Sequence, residues 1–165
     1  MPVDTSPTIT TPVSAGEYLY FLDRAFRGML EVLAELGDDR VNTRPPLGGA
    51  NSPYAIAYHC AEVADYWIGH VVAGRPSTRD RNAEFGATGS IETLREHIAN
   101  VRRNLRDDLA AEVPLYPANP PSADYEGPDR PLTSTGVLLH VLEELAQHHG
   151  QVQLTRDVLL GKQAS

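Results

Sequence analysis

Three residues near the C-terminus, His140, Glu144 and His148, recur at i, i+4 and i+8, a spacing that stacks side chains along one line of an α-helix. Burying an imidazole or a carboxylate without a partner is costly, and a divalent ion shared between such groups removes that cost. At about 100° per residue, His148 falls within an apolar stripe of Val137, Val141, Leu145 and Val152, with Glu144 on its border. Far upstream, His59 sits at the edge of a second stripe, three positions after Ile56, with Glu62 and Tyr66 on the same line in the next two turns. If the two helices are neighbours, His59, Glu144 and His148 converge on one ion. Two imidazoles and one carboxylate with open positions suit catalytic zinc, and also the facial arrangement of non-haem iron(II). A lone Glu–His pair on a helix is more commonly a surface pair or a satisfied core pair. Three such groups at inward or boundary positions of two helices carry the metal reading.

Other reactive side chains have weaker placements. His140 is a fourth ligand, a group standing behind the ligands, or an exposed residue; its distance from the apolar stripe favours the role behind the ligands. If the ion activates water, Glu62 or His140 is the candidate base. His149 points about 100° away from His148 and cannot share its ion. Cys60 reads as a small buried hydrophobe, and His70 and His97 as boundary or surface residues. The run Arg79-Asp-Arg81-Asn-Ala-Glu84, together with Arg44 and Arg130, lies on loops that can bind a carboxylate of a substrate. A solvated or subunit-contact role is the commoner one for such arginines.

Four amphipathic segments must position these groups. Apolar residues recur at 18, 22, 25, 29, 33 and 36 within Glu17–Leu36, and Gly37 supplies the stop. A second helix begins at Ser52 with Pro53 in its first turn, carries Ile56, Cys60, Val63, Trp67 and Val71, and runs to Ala73 before Gly74. The third starts at Ser90 and repeats Ile91, Leu94, Ile98, Val101 and Leu105, with acids early and arginines late as the helix dipole prefers. The fourth spans about 134–160 and is closed by Gly161. No segment alternates with period two and no hairpin turn signal occurs, so the expectation is an all-α four-helix bundle over 16–165 behind a Thr/Pro/Ser-rich arm, 1–15. The connections 38–51, 75–89 and 112–133 are long for a bundle. The last holds Pro114, Pro117, Pro120, Pro121, Pro128 and Pro131, and either covers a site at one end of the bundle or simply lets the last two helices run in their required directions.

Composition narrows the function classes. The chain has 165 residues and a net charge of −8, which opposes binding to phosphate backbones and anionic membranes. One cysteine excludes an internal disulfide and a thiolate zinc knot. Met1–Ala15 has neither a basic start nor an apolar run, and Val137–Leu142 is interrupted by His140, so a cytoplasmic protein is expected. Lys162 stands alone against 13 arginines, a codon signature of a high-G+C bacterial genome.

The segments Asn51-Ser-Pro-Tyr-Ala-Ile-Ala-Tyr-His59-Cys-Ala-Glu62-Val-Ala-Asp-Tyr-Trp67 and Leu138-Leu-His-Val-Leu-Glu-Glu144-Leu-Ala-Gln-His148-His-Gly-Gln151 resemble the two signature helices of the DinB/YfiT-like superfamily. The order and lengths of all four helices extend the resemblance over roughly 16–161. The closer likeness is to the branch containing mycothiol-dependent maleylpyruvate isomerase. The resemblance implies a four-helix bundle, often a homodimer, holding a divalent metal, commonly zinc or nickel. Matched residue by residue, the family's ligands fall on His59, Glu144 and His148. Other branches carry three histidines, and Glu144 in the middle position points to the mycothiol-linked side. Characterised members include S-transferases and isomerases that use mycothiol or bacillithiol, so the resemblance implies a low-molecular-weight thiol and an electrophile as co-substrates. The isomerase resembles a bundle followed by a second domain, whereas this sequence stops at Ser165, so a thiol transferase is the expectation rather than maleylpyruvate isomerisation. A metal-dependent hydrolase and a non-catalytic metal- or ligand-binding bundle are the alternatives.

Overall fold

The computed structural model describes residues 12–125 and 127–161, and within them the only regular secondary structure is helical. Most of the expected N-terminal arm therefore lies outside the described residues. α1 spans Ala15–Leu36, beginning two residues before the expected Glu17 because Ser14 and Glu17 form a reciprocal cap. The Glu17 amide donates to Ser14 Oγ at 3.1 Å, and the Ser14 amide donates to Glu17 Oε2 at 3.1 Å. A single turn, α2 (Asp38–Val41), follows, and its Asp38 accepts a hydrogen bond from the Ile91 amide at 2.7 Å. α3 (Pro53–Ala64) opens with Ser52 capping the Ala55 amide and Pro53 in the first turn. α4 (Arg81–Glu84) is one turn capped by Asp80; α5 covers Ile91–Ala110 and α6 covers Ser134–Leu159.

The second long helix departs from the expected uninterrupted α-helix to Ala73. From Asp65 to Val72 its turns widen to π-helical, with the Ala73 amide reaching the Ile68 carbonyl at 2.9 Å. Two local features hold the wide turns. Gly69 has no Cβ, so the Arg75 guanidinium lies against the helix there, and a Cβ would come within 1.9 Å of it. That guanidinium bridges Asp65 at 2.6 Å and Asp108 of α5 at 2.9 Å. Beyond them, the Asn119 and Ala118 amides donate to the Val71 and Val72 carbonyls at 3.0 and 3.3 Å. The Pro-rich segment thereby satisfies carbonyls that the helix end leaves open.

α1 and α3, the latter with its π-helical extension, each pack between α5 and α6, closing a four-helix bundle. The core joins Leu22, Phe26, Met29 and Leu33 of α1 to Ile68 and Val71, to Leu94, Ile98 and Leu105, and to Val141, Leu145 and Val152. The apolar positions that repeat in the sequence are the buried ones, save Ile91, which is half-buried. Cys60 is fully buried and its thiol pKa is pushed well above the ordinary value, chiefly by desolvation and then by Glu144 and Glu84. Among the described residues no helix is long and apolar enough to cross a membrane. Truncating Leu105, fully buried on α5, to Ala should cost about 2–5 kcal/mol of unfolding free energy, measured by urea denaturation with an unchanged helical far-UV spectrum.

Candidate metal centre

α3 and α6 are neighbours, and this brings His59 of α3 to Glu144 and His148 of α6. One ligand atom from each of the three lies within 4.8 Å of the others. His59 is buried, with its ring edge-on to that of His148 at 5.0 Å between centroids. His148 Nε2 stands 3.4 Å from Glu144 Oε2.

The outer nitrogens of both imidazoles are occupied. His59 Nδ1 pairs with Glu84 Oε2 at 2.6 Å, and His148 Nδ1 pairs with Gln151 Oε1 at 2.8 Å. Glu84 is itself 1% exposed, and Arg79 grips it twice, Nε to Oε1 at 2.6 Å and Nη2 to Oε2 at 3.0 Å. Burial pushes the Glu84 carboxyl upward, but the hydrogen bonds from His59 and Arg79 and the charge of Arg79 outweigh it and hold the pKa below the ordinary value. An ionised Glu84 can only accept, so His59 Nδ1 carries the proton and Nε2 is left to the centre. The amide oxygen of Gln151 likewise accepts from His148 Nδ1. This is the arrangement metal-ligating histidines take, with the far N–H held by a carboxylate or carbonyl and the near nitrogen turned to the centre. The donor set therefore fits a divalent ion.

The pair on α6 is tuned by its own contact. The hydrogen bond from His148 lowers the Glu144 pKa, against desolvation that raises it. The same bond raises the His148 pKa, against desolvation that lowers it, with Gln151 adding to the rise.

The remaining sequence candidates land elsewhere. Glu62 accepts from His97 Nε2 at 2.8 Å, on the side of α3 that faces α5, and is not part of the three-residue group. Tyr58 stacks on that same His97 at 5.0 Å. Arg79 is committed to Glu84, and its guanidinium lies over the rings of Tyr66 and Tyr125 at 5.2 and 4.9 Å. Arg81 lies over the Phe85 ring at 5.4 Å, and Phe85 in turn stacks on His59. Arg44 donates to the Phe85 carbonyl at 3.0 Å. His149 packs over Gly28 of α1, away from the three. His140, one turn before Glu144, is outside the three as well: its Nδ1 is 3.9 Å from Glu143, and its buried Nε2 has no hydrogen-bond partner among the described residues.

Sequence reasoning left out Glu84 and the orienting role of Gln151. Gln151 follows His148 by one helical turn, a spacing readable in advance. Glu84 is 25 residues from His59, and no periodicity connects a loop turn to a helix.

Comparisons with known proteins agree with the fold. A model of the DinB superfamily matches residues 22–152. No curated protein matches the chain. The crystal structure of a conserved protein from Enterococcus faecalis is similar with a TM-score of 0.66 at 18% identity, covering 92% of this chain and 100% of that one. At that identity the likeness is one of fold.

Two outcomes follow from this geometry. Glu84→Gln keeps the shape of the side chain but removes its charge, and is expected to weaken divalent-metal binding about 10–100-fold in a competition titration with a chromophoric chelator. A ligating His148 must shed its proton, so its raised pKa means that metal affinity falls as pH drops through that value, already above the ordinary 6.5. In the metal-free protein the signs differ. Stability from His148 is full below 6.5 and is lost as pH rises through its folded pKa, while stability from Glu144 is full above 4.5 and is lost as pH falls. Calorimetric metal titrations and thermal melts between about pH 3 and about pH 9, a range that takes in both transitions, separate the two effects.

Proposed function

The chain belongs to the DinB superfamily, and from that premise we propose that it is a divalent-metal-dependent S-transferase acting on a low-molecular-weight thiol such as mycothiol or bacillithiol. The observation that carries the reading is the His59, Glu144 and His148 group with the outer nitrogens of both imidazoles already held by Glu84 and Gln151. Zinc is the ion proposed for that donor set, with nickel and iron(II) distinguished from it by elemental analysis. A divalent ion there supplies the Lewis acidity that lowers the pKa of a coordinated thiol toward neutrality.

The chain's own residues do the rest. Glu84, locked by Arg79, fixes the tautomer and orientation of His59. Gln151 does the same for His148. Cys60, buried and protonated, is no competing nucleophile, so the reacting sulfur arrives with the substrate. A homodimer is the assembly that the resemblance supports, and the cytoplasm is the location proposed with it. One observation favours a second reading, a metal-dependent hydrolase: the Nε2 of His140, which lines the same depression as Glu144, has no hydrogen-bond partner among the described residues, whereas Glu62 is engaged by His97.

The test is metal-loaded protein incubated with mycothiol or bacillithiol and monobromobimane. The sulfur–carbon bond forms as bromide leaves, and the thiol proton passes to solvent. Metal-dependent loss of thiol above background is expected, falling about 10–100-fold in Glu144→Gln, with His59→Ala and His148→Ala depleted of metal by elemental analysis. No thiol loss across several electrophiles with the site fully loaded overturns the reading. Hydrolysis of model esters without thiol, in that case, favours the hydrolase.

A further inference from the structure

The Pro-rich connection between α5 and α6 is pinned along its length. Ser134 donates its amide to the Leu115 carbonyl at 3.0 Å, which ties the two ends of the connection together. Between them, Ser122 donates its amide to the Tyr66 hydroxyl at 2.8 Å, and Tyr125 donates its hydroxyl to the Arg79 carbonyl at 2.8 Å. Gly127 rides directly on Trp67, where a Cβ would come within 2.8 Å of the indole. Between this segment and the bundle lies a cavity of about 580 Å³, with Trp67 of the π-helical turns and Val137 of α6 on its floor. That volume is in the range of small-molecule sites.

The cover cannot close onto the floor. Five of the thirteen residues around the cavity are Pro117, Pro120, Pro121, Pro128 and Pro131, whose short rings are tied to their own backbone and cannot reach across. The long apolar side chains of the segment do not fill the space either: Leu115 is 68% exposed, and Tyr116, which also lines the cavity, is 60% exposed. A hollow held open in this way leaves van der Waals contacts unmade along its apolar lining. Water replaces them poorly, because hydrogen-bonding groups are few. The prolines have no amide hydrogen, and Asn119 is engaged on the helix through its amide, to the Val71 carbonyl at 3.0 Å, and its side chain, to the His70 carbonyl at 2.9 Å. Water with few partners is displaced by an apolar group with a gain in affinity. The two charged residues that line the cavity, Asp129 and Arg130, are exposed and opposite in sign.

We propose that this cavity binds the alkyl chain of a small amphiphile, whose polar end stays in water beside Asp129 and Arg130. Affinity comes from the apolar surface removed from water, so it rises with the length of the chain until the cavity is full. None of His59, Glu144 and His148 lines the cavity, so its occupancy depends neither on a metal nor on the S-transferase reading.

Trp67 is the only tryptophan in the chain, so selectively excited emission comes from the floor of this cavity. The experiment titrates the full-length protein, once chelator-treated and once zinc-loaded, with the linear alcohols from butan-1-ol to octan-1-ol. A saturable change is expected whose dissociation constant falls about fourfold for each added methylene, alike with and without zinc. Val137→Phe, which brings a ring into the floor, and Leu132→Asp, which sets a carboxylate against the chain, are each expected to weaken octan-1-ol about tenfold or more. Each variant is compared where its melting temperature and far-UV spectrum match the wild type, and the wild-type series decides without them. An unsaturable response, a dissociation constant indifferent to chain length, binding that requires zinc, or a folded variant that binds as wild type overturns the site. A working thiol transferase that ignores the alcohols overturns this site alone, and saturable binding in a protein that transfers no thiol overturns the S-transferase reading alone.

Discussion

A carboxylate buried to the extent of Glu84 cannot exist alone in a protein interior, and the local architecture follows from how it is neutralised. Arg79 supplies the charge and His59 the second hydrogen bond, at 2.6 Å in each of their closest contacts. Removing one partner of a buried pair of this kind typically costs about 3–5 kcal/mol, because the other charge is left unpaired. The contact therefore clamps the connection after the second long helix onto α3. It also decides which nitrogen of His59 is free, so one interaction serves both the fold and the chemistry.

The clamp propagates outward through aromatic rings. Arg79 lies over Tyr66 and Tyr125, and Tyr125 returns a hydrogen bond to the Arg79 carbonyl at 2.8 Å. Tyr66 belongs to the π-helical turns and Tyr125 to the Pro-rich segment, so His59, widened helix and loop form one connected body. The loop costs little to hold in place, since proline has already surrendered much of its conformational freedom in the unfolded chain. Its Ala118 and Asn119 amides find carbonyls that the helix terminus would otherwise expose. A long connection is in this way converted from an entropic burden into a wall of the cavity.

The unequal legibility of the residues has physical causes. His148 and Glu144 are one helical turn apart, so their common direction is a property of the helix and could be read from spacing alone. His59 could be placed on the right face of its helix, but its meeting with His148 depended on α3 and α6 being neighbours. Glu62 and His59 are only three residues apart, yet Glu62 ends at His97 and His59 at Glu84, because the neighbouring helix offers one an imidazole and the loop offers the other a carboxylate. Arg79, which from the sequence could serve a soluble carboxylate, is instead consumed by a carboxylate five residues along. Loop side chains have no period to restrict their partners, and such pairings are open until the chain folds.

The amino-acid sequence by itself determined the helical class, the four long amphipathic segments, most of their caps and the inert character of Cys60. These depend on interactions within a few turns, which the 3.6-residue period exposes. Only the tertiary structure decided the widening of the second helix at Asp65, the seating of the proline segment, the Arg79–Glu84–His59 relay and the isolation of His140 Nε2. The His59–Glu84 contact and the seat of the proline segment each balance a polar group against a partner distant in sequence, whereas His140 Nε2 is left without one. Such a balance is set by which elements happen to adjoin, and no local pattern records it.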